Sequence, residues 1–346
     1  MKIGNRHIGS DYPCFIIAEL SANHGHNIEI AKETIRAAKR AGADAIKLQT
    51  YTADTITIDC EKDDFLIKGT IWEGRKLYDL YKEAFLPWEW HQELFETAKE
   101  EGLICFSSPF DKTAIDFLEE LNAPAYKIAS FEITDIPLIE YAASKQKPMI
   151  ISTGIADDKD IELVIETCRK VGNNEIILLK TSSQYPAKIE DAHLKMIPDL
   201  AERFKVLSGL SDHTSGEFVP IVAVALGAVM IEKHFILDRS IGGPDASFSL
   251  DEKKFKSLVD AVRNTEKALG KIDYKLTEKA AQSRKFSRSL YIVEDVRKGD
   301  LITVHNIRSI RPGFGLHPKF YNQILGKTFN QNIKKGTPLS FDQIVS

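Results

Sequence analysis

Eight short apolar runs, each followed by a helical pattern, restrict what this chain can fold into more than any other feature of it. The runs are residues 14–20, 45–50, 104–109, 125–130, 148–154, 175–180, 206–213 and 229–237. They are rich in Ile, Val, Leu and Phe with little polar alternation, the pattern of parallel strands buried on both faces. The helical patterns are residues 28–41, 88–101, 111–121, 136–145, 158–171, 192–204, 216–227 and 250–269. Several stop at Gly42, Gly102, Gly172, Gly227 or Gly270, where the left-handed residue that closes a helix costs glycine little. Eight strand–helix units in about 260 residues match an α/β fold of the (β/α)8 TIM-barrel type. An open doubly wound sheet is the alternative, but no G-x-G-x-x-G follows the first run to support it.

The remaining segments fit around that alternation. Residues 2–9 carry two short pieces around Gly4-Asn5 and read as a hairpin that plugs the bottom of the barrel. Residues 51–86 form an insertion too long for an ordinary loop, and with Trp72, Tyr78 and Tyr81 it reads as a lid or substrate wall. Residues 1–270 are thus expected to form the barrel and 271–288 a polar, basic linker. Residues 289–346 change character: Val296-Arg297-Lys298-Gly299 recurs as Ile333-Lys334-Lys335-Gly336, and Asn306-Ile307 as Gln343-Ile344, at one constant offset. Two copies of a strand–turn–strand unit predict a small pseudo-symmetric domain of mostly β and turn structure.

Composition excludes several partners. Among 346 residues 43% are apolar, which permits a large core, and the net charge of −4 comes from interspersed charges, so no basic stripe points to nucleic acid or a membrane surface. The four cysteines include no C-x-x-C pair, and the N-terminus lacks the apolar core of a signal peptide. The longest apolar stretch, 219–231, contains Pro220 and Gly227 and is too short to span a bilayer. These features read as a cytoplasmic enzyme with a small-molecule substrate.

In such a barrel the C-terminal strand ends converge on one site. They carry Glu19 and Asn23; Lys47 and Gln49; Ser107 and Ser108; Lys127, Ser130 and Glu132; Ser152 and Thr153; Lys180, Ser183 and Tyr185; Ser211, Asp212 and His213; and Glu232 and His234. Lys47 and Lys127 lie inside apolar strands, where an unpaired ammonium is costly, so either a bound anion or an ion pair with Glu19, Glu132 or Glu232 must accompany them. With Ser108, Ser130, Ser152 and Ser211 beside them, the anion would carry phosphate and carboxylate. His213 and His234 end consecutive strands, so two imidazoles can meet at one divalent metal that polarises a carbonyl oxygen. The residues alone point to a reaction between a phosphorylated carboxylate and a carbonyl compound and go no further; a class II aldolase is the rival among barrel enzymes.

The strings FIIAELSANH, IKLQTYTADT, FSSPFD, YKIASFEITD, ISTG, SQYPA, GLSDHT, IEKHF, GGPDASFS and IRPGFG, in this order, resemble the sialic acid synthase family along essentially the whole chain. The resemblance implies condensation of phosphoenolpyruvate with an N-acylated amino sugar in a metal-dependent barrel, with Mn2+, Mg2+ or Co2+ as the metal. It also implies that residues 289–346 are an antifreeze-like (SAF) domain reaching across a domain-swapped homodimer. That tail suggests a rival of a different class, a carbohydrate-binding protein whose barrel has lost catalysis. Within the family, IKLQTYTADT, TIWEGRKLYDLYKEAFLPWEWH and KIASFEITD resemble the branch that makes pseudaminic acid. Branches acting on N-acetylmannosamine or a legionaminic acid precursor share the core motifs. Matched motif by motif, Lys47, Ser108, Lys127, Ser130, Ser152, Ser183, Tyr185 and Ser211 would hold phosphoenolpyruvate, and His213 and His234 the metal. Ser108 replaces the usual threonine, and Ser183 an asparagine of some relatives. Glu19 would bind sugar hydroxyls, Glu132 would handle protons, Asp245 would contact the sugar or a metal-bound water, and Arg311 of the partner subunit would contact the acetamido group.

Overall fold

The computed structural model describes residues 1–345; Ser346, the last residue of the expected C-terminal domain, lies outside the described residues. The chain divides into two compact units, Met1–Gly270 and Lys271–Ser346. No helix of the described residues is long and apolar enough to cross a membrane.

The first unit opens with a hairpin, β1 (Lys2–Ile3) and β2 (Arg6–His7), paired antiparallel around Gly4-Asn5. Eight strands then close a barrel: β3 (Phe15–Glu19), β4 (Ala45–Thr50), β5 (Ile104–Pro109), β6 (Tyr126–Ile128), β7 (Met149–Ser152), β8 (Ile176–Thr181), β9 (Leu207–Asp212) and β10 (Met230–His234). Every barrel pairing is parallel, and β10 closes the ring on β3. Both strand faces are apolar because each meets a different core. Phe15, Ile17, Phe106, Ile150, Ile177 and Met230 fill the lumen, while Ile16, Ala18, Ile46, Leu48, Leu210 and Ile231 pack outward with helix residues such as Ile35, Leu94 and Phe255. The hairpin delivers Ile3 and Ile8 to the lumen cluster, so the expected plug is present at the N-terminal end.

The helices fall where the periodicity places them, with three shifts. The pattern at 88–101 opens as a 3-10 turn, Trp88–Trp90, before the helix His91–Glu100. The pattern at 192–204 becomes a 3-10 turn, Ile189–Ala192, followed by the helix Met196–Phe204, and the pattern at 216–227 shortens to Phe218–Ala225. Insertion 51–86 is ordered by short helices at Ala53–Ile56 and Leu77–Ala84 and by a bridge between Leu66 and Lys76.

In the second unit the stretch expected as a plain linker contains a helix, Glu278–Ser283, whose first turn is capped by the Thr277 hydroxyl accepting from Ala280 N. The small sheet pairs β11 (Ser289–Ile292) antiparallel with β12 (Ile307–Ile310). The internal repeat is realised as pairing between its copies. Val296 N donates to Ile333 O and Ile333 N to Val296 O, both at 2.9 Å, and Gly299 N→Phe329 O is matched by Gly336 N→Ile292 O, both at 2.8 Å. The core is small and belongs to both copies, with Ile292, Val296, Ile302, Phe329, Ile333 and Leu339 among its members.

Candidate active site

Strand alternation sorts the expected residues by face. Consecutive residues of a strand point to opposite sides, so of each adjacent pair only one can reach the lumen. Ser107, Thr153, Lys180 and Asp212 therefore leave the candidate set. Ser107 Oγ bonds Thr50 Oγ1 at 2.6 Å, and Thr50 in turn meets His91 Nε2 at 2.9 Å. Thr153 Oγ1 donates to Leu179 O, Lys180 Nζ to Thr181 O, and Asp212 pairs with Lys233. Asn23 also turns aside, donating to Phe235 O and Ser249 Oγ.

What remains lies in layers above the apolar plug. The lower layer is ionic. Lys47 Nζ stands 2.9 Å from Glu232 Oε1 and 3.2 Å from Glu19 Oε2, and Lys127 Nζ stands 3.8 Å from Glu232 Oε1. Lys127 also donates to Ser152 Oγ at 2.7 Å, and Ser211 Oγ donates to Glu232 Oε1 at 3.0 Å. The buried ammoniums are thus accompanied by carboxylates, the ion-pair alternative of the sequence reading. Burial raises the Glu232 pKa, but Lys127 and Lys47 and the Ser211 hydroxyl overcome it and hold the group near 2. Glu19 goes the other way: burial, against the pull of Lys47, pushes it up to about 8. Burial lowers Lys127 to about 8, whereas at Lys47 the same penalty is outweighed by Glu19 and Glu232 and the pKa rises. With Glu19 protonated near neutral pH, the two lysines face one carboxylate, and this layer retains an excess of positive charge for an anion. Ser108 Oγ, Glu19 Oε2 and Glu232 Oε2 are buried without hydrogen-bond partners.

Beside this layer Ser130 and Ser183 bond to each other, Oγ to Oγ at 2.8 Å. Gly154 makes room for them: a Cβ there would stand 2.1 Å from Ser183 Oγ and 2.5 Å from Ser130 Oγ. On the other side a polar chain climbs from the ionic layer. Gln49 Nε2 donates to Glu19 Oε1 at 2.9 Å and to Ser21 Oγ at 3.0 Å, and Ser21 Oγ donates to Asp245 Oδ2 at 2.5 Å.

The upper layer holds the imidazoles. The rings of His213 and His234 are 5.3 Å apart, with Tyr185 4.4 Å from the first and Phe248 5.0 Å from the second. Tyr185, expected in the phosphoenolpyruvate set, thus stands beside the histidines. Burial lowers the pKa of His213 to about 4 and that of His234 well below its usual value, so both rings are neutral at pH 7. His213 Nδ1 lies 2.9 Å from Ser182 O, and because a carbonyl only accepts, the proton is on Nδ1 and Nε2 keeps its lone pair. His234 Nδ1 is buried without a hydrogen-bond partner, 3.7 Å from Asp245 Oδ2. This donor chemistry fits a divalent ion. No group of three His, Cys, Asp or Glu among the described residues completes a shell, so further ligands would be water or substrate.

A cavity of about 290 Å3 opens above, with Gln49, Glu132, His234 and Asp245 on its floor and Leu77, Leu80 and Tyr81 of the insertion on one wall. Trp72 Nε1 donates to Pro244 O across it, so the insertion forms part of the cavity wall. Glu132, on the turn Ser130–Glu132, has Oε2 buried and unpartnered, and burial pushes its pKa up to about 7. Arg311 is exposed and belongs to the second unit, directly after β12. Sequence reasoning named Glu232 only as one of three possible ion-pair partners of the lysines and assigned no role to Ser21 or Gly154. The first could have been singled out by its lumen-facing register two residues before His234, while the other two act through contacts with no local signal.

The NeuB family model matches residues 34–274 and the SAF domain model residues 287–345. The pseudaminic acid synthase of Campylobacter jejuni is 51% identical over 339 residues, 98% of this chain and 98% of that one. The N,N'-diacetyllegionaminic acid synthase of Legionella pneumophila is 38% identical over 341 residues, 97% of this chain and 96% of that one. Among solved structures, the spore coat polysaccharide biosynthesis protein SpsE of Bacillus subtilis aligns with a TM-score of 0.68 at 34% identity, covering 100% of this chain and 99% of that one.

Proposed function

The chain belongs to the NeuB family, and from that premise we propose that it condenses phosphoenolpyruvate with 2,4-diacetamido-2,4,6-trideoxy-L-altrose and water, giving pseudaminic acid and phosphate. The observation that carries the reaction class is the vertical order of the lumen. Buried ammoniums and hydroxyls lie below, two neutral imidazoles stand above them, and a sugar-sized cavity covers both. The choice of sugar rests on the full-length likeness to a pseudaminic acid synthase.

In this reading Lys47, Lys127, Ser108 and Ser152 bind phosphoenolpyruvate through charge and hydrogen bonds, and Ser130, Ser183 and Ser211 orient its phosphate and carboxylate. His213 and His234 would hold a divalent ion, and that ion, when bound, would supply a Lewis acid for the aldehyde oxygen of the open-chain sugar. Tyr185 packs over both imidazoles and shields them from solvent. The C2–C3 π electrons of phosphoenolpyruvate bond C3 to the aldehyde carbon as the carbonyl π bond breaks onto its oxygen. Glu132 takes a proton from the water that adds at C2, balanced by the proton that the aldehyde oxygen takes up to become a hydroxyl. Collapse of that adduct breaks the C2–O bond and expels phosphate, which sets the reaction apart from a reversible aldol cleavage. Glu19 and Asp245, joined through Gln49 and Ser21, hold sugar hydroxyls. We further propose a homodimer in which Arg311 of one subunit contacts the acetamido group bound to the other.

The test is a panel of N-acylated sugars with phosphoenolpyruvate, read by mass spectrometry of the nine-carbon acid and by release of phosphate. The expected result is phosphate release only when sugar and metal are both present, with the 2,4-diacetamido-trideoxy-altrose as the best substrate. Preference for N-acetylmannosamine or the legionaminic precursor would move the chain to another branch. No phosphate release with any sugar would leave a carbohydrate-binding barrel.

A further inference from the structure

We propose that the buried Lys233–Asp212 ion pair, on the outer face of the barrel, is a positioning device that sets the spacing of the two imidazoles. The inference rests on the metal reading of His213 and His234 given above.

Lys233 and Asp212 are register partners on β10 and β9, and theirs is the last pairing between the two strands. By alternation their side chains point outward, into the layer that holds Leu210 and Ile231, while His213 and His234, one residue further along, turn into the lumen. His213 therefore stands one step past the end of the ladder, where sheet hydrogen bonding no longer fixes its backbone. Lys233 restores that constraint from the opposite face. Its Nζ donates to Asp212 Oδ2 at 2.5 Å and also to the carbonyl of Thr214, while Asp212 Oδ1 accepts from Thr214 N at 3.0 Å and Thr214 Oγ1 at 2.8 Å. The residues on both sides of His213 are thus tied to the residue immediately before His234. The other ties on His213 lead to the loop after β8, through Ala187 N to its carbonyl and through Nδ1 to Ser182 O, and neither reaches β10.

Fold stability does not require ions at this place. Both side chains are 1% exposed, and a buried pair of this kind adds little to stability compared with apolar residues of similar volume, although it can fix register. What the pair supplies that two leucines would not is a directional bond network between two strand ends. Partners behind metal-bound imidazoles change metal affinity about 10–100-fold when they are removed.

The experiment uses the full-length protein stripped of metal and titrated with Mn2+ alone, free Mn2+ being read by electron paramagnetic resonance. Three variants are compared with the parent: Lys233→Met/Asp212→Asn, the milder Lys233→Gln/Asp212→Asn, and His234→Ala. The first leaves no unpaired charge, and its Asn Oδ1 still accepts from Thr214. Its Mn2+ affinity should fall at least tenfold while the metal-free unfolding midpoint stays within about 4 °C of the parent. Lys233→Gln/Asp212→Asn, which is also free of unpaired charge and keeps an amide donor at position 233, should weaken binding severalfold and keeps the proposal testable if the first double variant does not fold. Parent-like affinity in these variants, with binding lost in His234→Ala, would overturn the positioning role alone. Parent-like affinity in His234→Ala would overturn the metal reading, and the positioning role with it.

Discussion

Replacing Gly154 with alanine adds one methyl group at the edge of the ionic layer and is expected to weaken phosphoenolpyruvate binding without harming the fold. The backbone accepts the change, because φ at Gly154 lies outside the left-handed region that favours glycine. In the unfolded chain alanine is more restricted than glycine, which by itself favours the folded state by about 0.4–1 kcal/mol. The obstacle is local. The new Cβ would stand 2.1 Å from Ser183 Oγ and 2.5 Å from Ser130 Oγ, against roughly 3.5 Å for comfortable contact. Both hydroxyls must withdraw by about 1 Å or rotate away, and the 2.8 Å bond between them cannot survive that displacement. If the pair orients the phosphate, one or two hydrogen bonds to a charged group are lost, each worth about 1.5–3 kcal/mol. Equilibrium binding of phosphoenolpyruvate, measured by calorimetry without sugar, should therefore weaken about 10–100-fold for the loss of one such bond, and more if both are lost, with the unfolding temperature held or slightly raised. Adding Ser183→Ala to the variant removes the closer clash and should recover part of the loss. A dissociation constant within about twofold of the parent, one hydrogen bond being worth at least tenfold, would refute the placement of the phosphate between these hydroxyls.

Three other outcomes are expected. Lys47→Met and Lys127→Met should each weaken phosphoenolpyruvate binding by roughly 2–5 kcal/mol, measured in the same calorimeter, and an unchanged constant would leave that lysine with a structural ion-pair role only. Glu132 must be ionised to take a proton from water, and its folded pKa is near 7. The turnover rate should accordingly rise with pH through about 7 and then level off, and Glu132→Gln should abolish that limb; a limb that survives assigns the titration elsewhere. Mixing inactive Arg311→Ala with inactive His234→Ala should restore part of the activity if Arg311 serves the other subunit, since one site in a mixed dimer then carries neither lesion. A dead mixture of subunits shown to exchange would refute the shared site.

The barrel was legible because its signal is redundant: eight runs, eight helical patterns and their glycines all state one period, so boundary errors such as the late start at Met196 do not alter the topology. The site was legible in outline for a related reason. Lysine and histidine inside apolar strands violate the local pattern, and such violations concentrate where function overrides stability. The facing of each side chain was present in the sequence but went unused, since alternation alone separates Ser108 from Ser107 and Ser152 from Thr153. The choice among Glu19, Glu132 and Glu232 as partners of Lys47 was open for a different reason: Glu232 lies 185 residues away along the chain, and the two side chains meet only because the barrel closes. The helix Glu278–Ser283 carried a signal too, a capping Thr277 before Glu278-Lys279-Ala280-Ala281, which the surrounding polarity obscured.

The hairpin that seals the N-terminal end gives the lumen a single mouth. Ile3 and Ile8 close the floor with Phe15, Phe106 and Met230, so nothing bound among the lysines can leave downward. On the proposed assignment the smaller anion sits deep and the sugar fills the cavity above it, which imposes an order of traffic. Phosphoenolpyruvate must enter first, and phosphate must wait until the nine-carbon product has gone. Steady-state kinetics should then be sequential and ordered, and phosphate should inhibit competitively against phosphoenolpyruvate. Excess sugar should inhibit in the same competitive way, because a sugar that arrives early blocks the passage its co-substrate needs.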